Sequence, residues 1–197
     1  VEVILVFVSM ILNMEMFTTL QLLWINLVTD SIPAIMLAFE KSDSDIMEDT
    51  PANKSNTTFF TPFLTSKIVI SALFKSIIMI ILFIYYAKTY DANTPGSLMF
   101  MYLVLNELLF AFSCRDLKKS VLNKRIFDNK RLTLGVFFLL LVQLIIFLTP
   151  LSKYFIVENL NIKIVAITLG ICFIAFVVGE LVKPIYTKLF KDYTEEK

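Results

Sequence analysis

The chain has 197 residues, 57% of them hydrophobic, and a mean hydropathy of +0.77; a water-soluble domain of this length does not carry that much apolar surface. With 18 basic and 17 acidic residues the net charge is +1, which gives no reason to expect a nucleic-acid partner. Histidine is absent, which excludes imidazole acid–base chemistry and His-ligated metals, and Cys114 and Cys172 stand too far apart to suggest a zinc site or a disulfide, so both read as packing residues.

In chain order, apolar runs of about 18–25 residues can cross a bilayer as helices. A partial run covers Val1–Leu12, and full runs cover Phe17–Phe39, Ile68–Ala87, Leu98–Cys114, Leu132–Leu151 and Ile162–Val182. The fold class is therefore all-α, a transmembrane helical bundle of five full spans and a partial first one, with the lipid bilayer as its main partner. The chain starts inside an apolar run, without an initiator Met or a charged leader, so the expectation is a fragment of a longer polypeptide.

The connections orient these spans. Residues 115–131 hold Arg115, Lys118, Lys119, Lys124, Arg125, Lys130 and Arg131, and the C-terminal end holds Lys183, Lys188, Lys191 and Lys197. The positive-inside rule puts both in the cytoplasm. The polar Glu40–Lys67 connection falls on the same side by alternation, which makes the nominal glycosylation pattern within residues 53–58 irrelevant. The opposite side is light, with Lys88 in one connection and Lys153 and Lys163 in the other. The basic 115–131 loop reads first as a topology determinant; contact with anionic lipid or a cytoplasmic domain is the second reading.

The second run carries the strongest functional signal. Residues 20–34 read LQLLWINLVTDSIPA, placing Asn26, Thr29 and Asp30 inside an apolar helix. Their i, i+3, i+4 spacing predicts one shared helix face. Pro33 has no N–H to offer the carbonyl of residue 29. Carboxylate, amide, hydroxyl and carbonyl oxygens would then converge, which is the ligand set of a hard cation. Broken helices at the midplane build such sites in membrane transporters. Asn and Thr alone read as inter-helix hydrogen-bonders; a carboxylate at membrane depth turns the reading toward function.

Other polar residues interrupt the apolar runs. Glu2 and Glu107 could add carboxylate oxygens to the Asp30 site; the alternatives are a solvated chain end for Glu2 and an interfacial acid near Arg115 for Glu107. Lys75 is expected to snorkel to the cytoplasmic interface, an internal counter-ion being the sharper alternative. Gln143 and Thr168 read as inter-helix hydrogen-bonders. Glu180 and Lys183 mark a helix end. Tyr85, Tyr86, Tyr102 and Tyr154 fit an interfacial aromatic belt.

The stretch LLWINLVTDSIPAIMLAFEKSDSDIM, residues 22–47, resembles the sixth transmembrane helix and following loop of type II P-type cation-transporting ATPases, with LLWxNLVTDGLPA of the calcium pumps as the nearest pattern. A basic loop after NELLFAFSCRD is similar to the C-terminal membrane domain of the same family. The resemblance implies that residues 1–197 are that domain, roughly its fifth to tenth helices. It implies Asn26, Thr29 and Asp30 as cation ligands, with Glu2 matching the fifth-helix glutamate of pumps with two calcium sites and Glu107 the eighth-helix acid, the two completing a second site; single-site calcium pumps lack one or both of these acids. Ca2+ would be the transported ion in a bacterial plasma membrane. Mg-ATP would act only through other domains of the same polypeptide, since the DKTGT-type phosphorylation motif is not in this chain. Ser31 stands where the family usually has Gly, and the segment after DIM lacks the Arg-rich pattern of many relatives. The alternatives are a Na+, K+ or H+ pump of the same family, a secondary transporter, or a structural membrane bundle.

Overall fold

A computed structural model describes residues 1–40, 62–90, 93–116, 120–122, 127–157 and 160–189. Most of the Glu40–Lys67 connection, with the 53–58 pattern and the DIM end of the family motif, lies outside the described residues. So do Lys118, Lys119, Lys124 and Arg125 of the basic loop, and Lys191 and Lys197. Among the described residues, all regular structure is helical.

Helix α1 covers Glu2–Leu12 and ends at Asn13, whose left-handed backbone (φ 51°, ψ 40°) returns its N–H to the Met10 carbonyl. The next helix starts with a capping box. The Gln21 amide donates to the Thr18 hydroxyl at 3.3 Å, and the Thr18 amide to Gln21 Oε1 at 2.9 Å. This second span is not one helix. It divides into α2 (Thr19–Trp24), a π-helical turn (Ile25–Thr29) and α3 (Ser31–Leu37).

The later spans are α4 (Pro62–Thr89), α5 (Thr94–Ser113), α6 (Lys130–Leu148) and α7 (Ile162–Leu189). Prolines set several of their ends. Pro62 opens α4 and Pro95 falls in the first turn of α5, positions where a missing N–H does no harm. Residues 62–67, expected as loop, are therefore the first turns of α4. Pro150 forces Thr149 into an extended conformation (φ −109°, ψ 168°), so α6 stops short of the predicted Leu151 and a 3₁₀ turn, Pro150–Lys153, follows. Helix α7 runs past the predicted Val182, with Pro184 inside it.

Helix α5 is the centre of the bundle, in contact with α3, α4, α6, α7 and the π turn. In its most apolar stretch 61% is buried, against 17% in α4 and 11% in α7. The outer helices turn Ile81, Leu134, Leu148 and Ile174 outward. An apolar belt of this extent belongs against lipid, and five helices are long and apolar enough to cross a membrane. The protein is an integral membrane protein.

At the end of the bundle opposite the basic loop, aromatic rings and two side-chain hydrogen bonds join the helices. Phe100 stacks on Phe147 and Phe155 with centroids 6.1 and 5.8 Å apart, and Trp24 meets Phe155 edge-on at 5.6 Å. Gln21 Nε2 donates to the Phe155 carbonyl at 2.8 Å, and Trp24 Nε1 to Gln143 Oε1 at 3.1 Å. At the other end α3 and α6 approach closely: a Cβ on Gly135 would stand 3.1 Å from Met36 Cγ. Gln143 and Thr168 bond between helices as their apolar settings predict. Tyr85 and Tyr154 are exposed, while the aromatic-belt expectation is corrected for two other residues. Tyr102 is fully buried in α5, and Tyr86 is buried with its hydroxyl 2.8 Å from Thr168 Oγ1. Both tyrosines pack between helices, where ring burial outweighs interfacial placement.

Candidate cation site

The break in the second span follows from Pro33. An α-helical ladder would ask residue 33 for an N–H that proline lacks. The chain widens ahead of it instead: the Asp30 amide reaches back five residues to the Ile25 carbonyl at 3.0 Å, the bond of a π-helical turn. Ser31 Oγ donates to the Asn26 carbonyl at 3.4 Å, so a hydroxyl-bearing residue fits the turn where the family pattern has Gly.

This wider turn corrects the expectation of one shared face. Asn26 and Asp30 are exposed, whereas Thr29 is buried. The i, i+3 rule assumes 3.6 residues per turn; a π turn holds more, so Asn26 and Asp30 stay aligned while Thr29 swings away.

Beside the break lies a cavity of about 480 Å³, lined by Glu2 of α1, Asp30 at the break, Lys75 of α4, and Glu107 and Phe110 of α5. Three carboxylates from three separate segments thus share one cavity. Asn26 joins them through Glu2, donating from Nδ2 to Oε2 at 2.6 Å and to the Leu22 carbonyl at 3.0 Å. The other oxygen of Glu2, Oε1, is buried without a hydrogen-bond partner. An orphaned buried carboxylate oxygen is unfavourable until a cation or proton meets it. Asn106 Nδ2 donates to Glu107 Oε1 at 3.3 Å. Among the described residues no three acidic or thiol side chains stand close enough to enclose one ion. The carboxylates therefore share a cavity and not yet a coordination sphere; Ca2+ asks for oxygens at about 2.3–2.6 Å.

Lys75 faces the cavity. Its side chain is half-buried, and Nζ lies 3.7 Å from the Phe110 ring centroid, inside the cavity that holds the acids.

Two further polar groups close the end of the bundle that carries the basic loop. Glu40, just past α3, receives Arg115 through Nε at 3.0 Å and Nη2 at 2.7 Å, and Asn129 Nδ2 at 2.6 Å. The Arg115 guanidinium, followed by the Asn129 amide, holds the Glu40 carboxyl below its ordinary 4.5 against the opposing effect of burial. Asn129 also caps α6, accepting from the Leu132 amide at 2.9 Å. Glu180 and Lys183, expected to mark a helix end, form a buried ion pair at 2.6 Å instead. Glu180 also accepts from Ser113 Oγ at 2.5 Å and the Val121 amide at 2.8 Å, while Lys183 donates to the Ser113 and Asp116 carbonyls at 2.9 and 3.1 Å. Their i, i+3 spacing was visible in the sequence; the loop that folds over them was not.

Helices with lipid-facing sides, around a π-broken span and an acid-lined cavity, define a polytopic membrane protein with the materials of a cation site. The chain belongs to the family described as cation transporting ATPase, C-terminus, which it matches over residues 14–185. It is 27% identical to calcium-transporting ATPase 1 of Bacillus cereus, over 92% of this chain and 22% of that protein. It is 30% identical to the calcium-transporting ATPase type 2C member 1 of Pongo abelii, over 84% of this chain and 18% of that protein. A calcium-transporting ATPase of Listeria monocytogenes is also 30% identical, over 89% of this chain and 20% of that one. The chain spans about a fifth of the length of these relatives. Membership in this family leaves the secondary-transporter and structural-bundle readings without support.

Proposed function

We propose that this chain is the ion-binding membrane part of an ATP-driven calcium pump, operating in a bacterial plasma membrane, with Ca2+ as the transported substrate. One observation carries the reading: Glu2, Asp30 and Glu107, from three segments, line one cavity beside a π-broken helix. Acids at membrane depth mark ion paths, and oxygen ligands of this kind suit Ca2+. The names of the relatives support calcium over Na+, K+ or H+.

In this reading Asp30 supplies the central charge, Glu2 the oxygen that now lacks a partner, and Asn26 a neutral oxygen once its amide turns from Glu2. Thr29 contributes through its backbone carbonyl, which Pro33 leaves without its usual amide. Glu107 completes the acid set from α5. ATP hydrolysis belongs to other domains of the same polypeptide, whose phosphorylation would switch the cavity between its two sides. The Glu40–Arg115–Asn129 contact ties the end of α3 to α5 and α6, so a movement of the broken span is felt by both.

The test is ATPase activity of the full-length protein in lipid, titrated separately with Ca2+, Mn2+, Na+ and K+. Activity should rise at micromolar Ca2+. Asp30→Asn should weaken that activation by roughly a hundredfold or more, the equivalent of about 3 kcal/mol for losing one charge from the set that faces the ion. Stimulation by Na+ or K+ alone would discard calcium, and ion-independent activity unaffected by Asp30→Asn would discard the site.

A further inference from the structure

The break that opens the second span also softens it. A continuous helix keeps its side chains in fixed register. A π turn ahead of a proline gives up that ladder and leaves two short segments, α2 of six residues and α3 of seven, able to bend about it. Asn26 lies in the turn and Asp30 directly after it, so their spacing depends on how both segments are held.

One unbroken helix holds both. Helix α6 runs from Lys130 to Leu148 alongside the span. On one side of the break, Gln143 Oε1 accepts from Trp24 Nε1 at 3.1 Å, and Trp24 is the last residue of α2. On the other side, Asn129 Nδ2 donates to Glu40 Oε2 at 2.6 Å and to the Met36 carbonyl at 3.5 Å. Between these contacts Gly135 lets α3 approach: a Cβ there would stand 3.1 Å from Met36 Cγ and 3.7 Å from Ile32 Cγ2. The three contacts are spread over about 20 Å of α6. None of the three α6 residues lines the cavity.

Gln143 is the most informative of them. It is buried inside an apolar helix, and its Nε2 has no hydrogen-bond partner. A buried donor left unmade is unfavourable, and a leucine would fill the same seam without it. The amide's contribution is therefore the position of the Trp24 indole, which its carbonyl oxygen holds two residues before Asn26 and six before Asp30.

We infer that α6 is a splint for the broken span: Gln143, Gly135 and Asn129 are positioning residues that hold α2 and α3 in the register at which Asn26 and Asp30 face the cation together. The inference rests on the cavity being the cation site and names residues outside it that set its affinity.

The test is Ca2+-dependent ATPase activity of the full-length pump in lipid, with half-saturating Ca2+ and maximal rate read separately. Trp24→Phe and Gln143→Leu should each raise half-saturating Ca2+ about tenfold with the maximal rate retained, the scale of losing an outer partner of a metal site. The double variant should do no more than either single one, because both remove the same hydrogen bond. Gly135→Val should raise half-saturating Ca2+ by pushing α3 away, and adding Met36→Ala should restore it. Unchanged half-saturating Ca2+ in Gln143→Leu overturns the inference, as does a fall in maximal rate or thermal stability alone. Effects that multiply in the double variant also overturn it. If Gln143→Leu does not fold, the Gly135→Val and Met36→Ala pair decides, and failure of Met36→Ala to rescue overturns the splint. Impairment by Asp30→Asn with all these variants normal would leave the cavity reading standing without the splint, whereas a wild type that Ca2+ does not activate would overturn both.

Discussion

The bundle holds two collections of charged residues, and they are arranged in opposite ways. At the end that carries the basic loop, Glu180, Lys183, Glu40, Arg115 and Asn129 are held by partners. In the membrane cavity, Glu2, Asp30 and Glu107 line open space, and one oxygen of Glu2 is buried without a partner. The same residue types thus do different work. Charges that are satisfied within the fold hold helices and loops together. Charges left facing a cavity at membrane depth lower stability unless something arrives to neutralise them, which is the thermodynamic condition for binding a cation.

That contrast can be broken by mutation. The largest stability effect should come from Glu180→Ala. It leaves the Lys183 ammonium buried without its carboxylate and removes the acceptor of the Val121 amide, a loss of about 3–5 kcal/mol. Thermal unfolding of the full-length protein in detergent reads it. On the same scale Asp30→Asn in the ion-free protein should move stability by no more than about 0.5 kcal/mol, because Asp30 is exposed to the cavity. Equal destabilisation by the two variants would erase the distinction.

Asn129→Ala comes next. It removes the cap of α6 and one of Glu40's donors, about 1–2 kcal/mol together. Arg115→Met is the smallest, about 1 kcal/mol or less, since the Glu40 carboxylate it leaves is partly solvated. It sharpens the comparison through pH. The folded-state pKa of Glu40 lies below the ordinary 4.5, chiefly through Arg115. Its stabilisation is therefore complete above that ordinary value and is lost as pH falls through the lowered one. Wild type should lose this contribution below pH 4.5, and Arg115→Met should show a shallower acid limb in the same unfolding assay.

The spans were legible in the sequence because hydropathy over a bilayer thickness is a long-range signal that survives errors at each end. The prolines explain most of those errors: Pro62 and Pro95 start helices earlier than the apolar runs do, and Pro150 stops α6 sooner. The break at Pro33 was legible as a missing hydrogen bond. Its resolution was not, because a proline states which N–H is absent and not how the preceding turn rearranges; the π turn moved Thr29 off the face of Asn26 and Asp30. Tyr102 and Tyr86 were misplaced because an amphipathic ring suits both a lipid interface and a helix–helix seam, and only packing separates them. Lys75 illustrates the same limit. A lysine near the end of an apolar run is free to snorkel, and only the placement of Phe110 on the neighbouring helix shows that it faces the cavity.

The central claim is that the acids of the cavity bind the transported ion, and the most direct measurement is a cryo-EM structure of the full-length pump at saturating Ca2+. Density for an ion within coordination distance of Glu2 and Asp30, with the two carboxylates drawn together, is the predicted result. An ion bound elsewhere, with Glu2 and Asp30 no closer than in the ion-free arrangement, would contradict it.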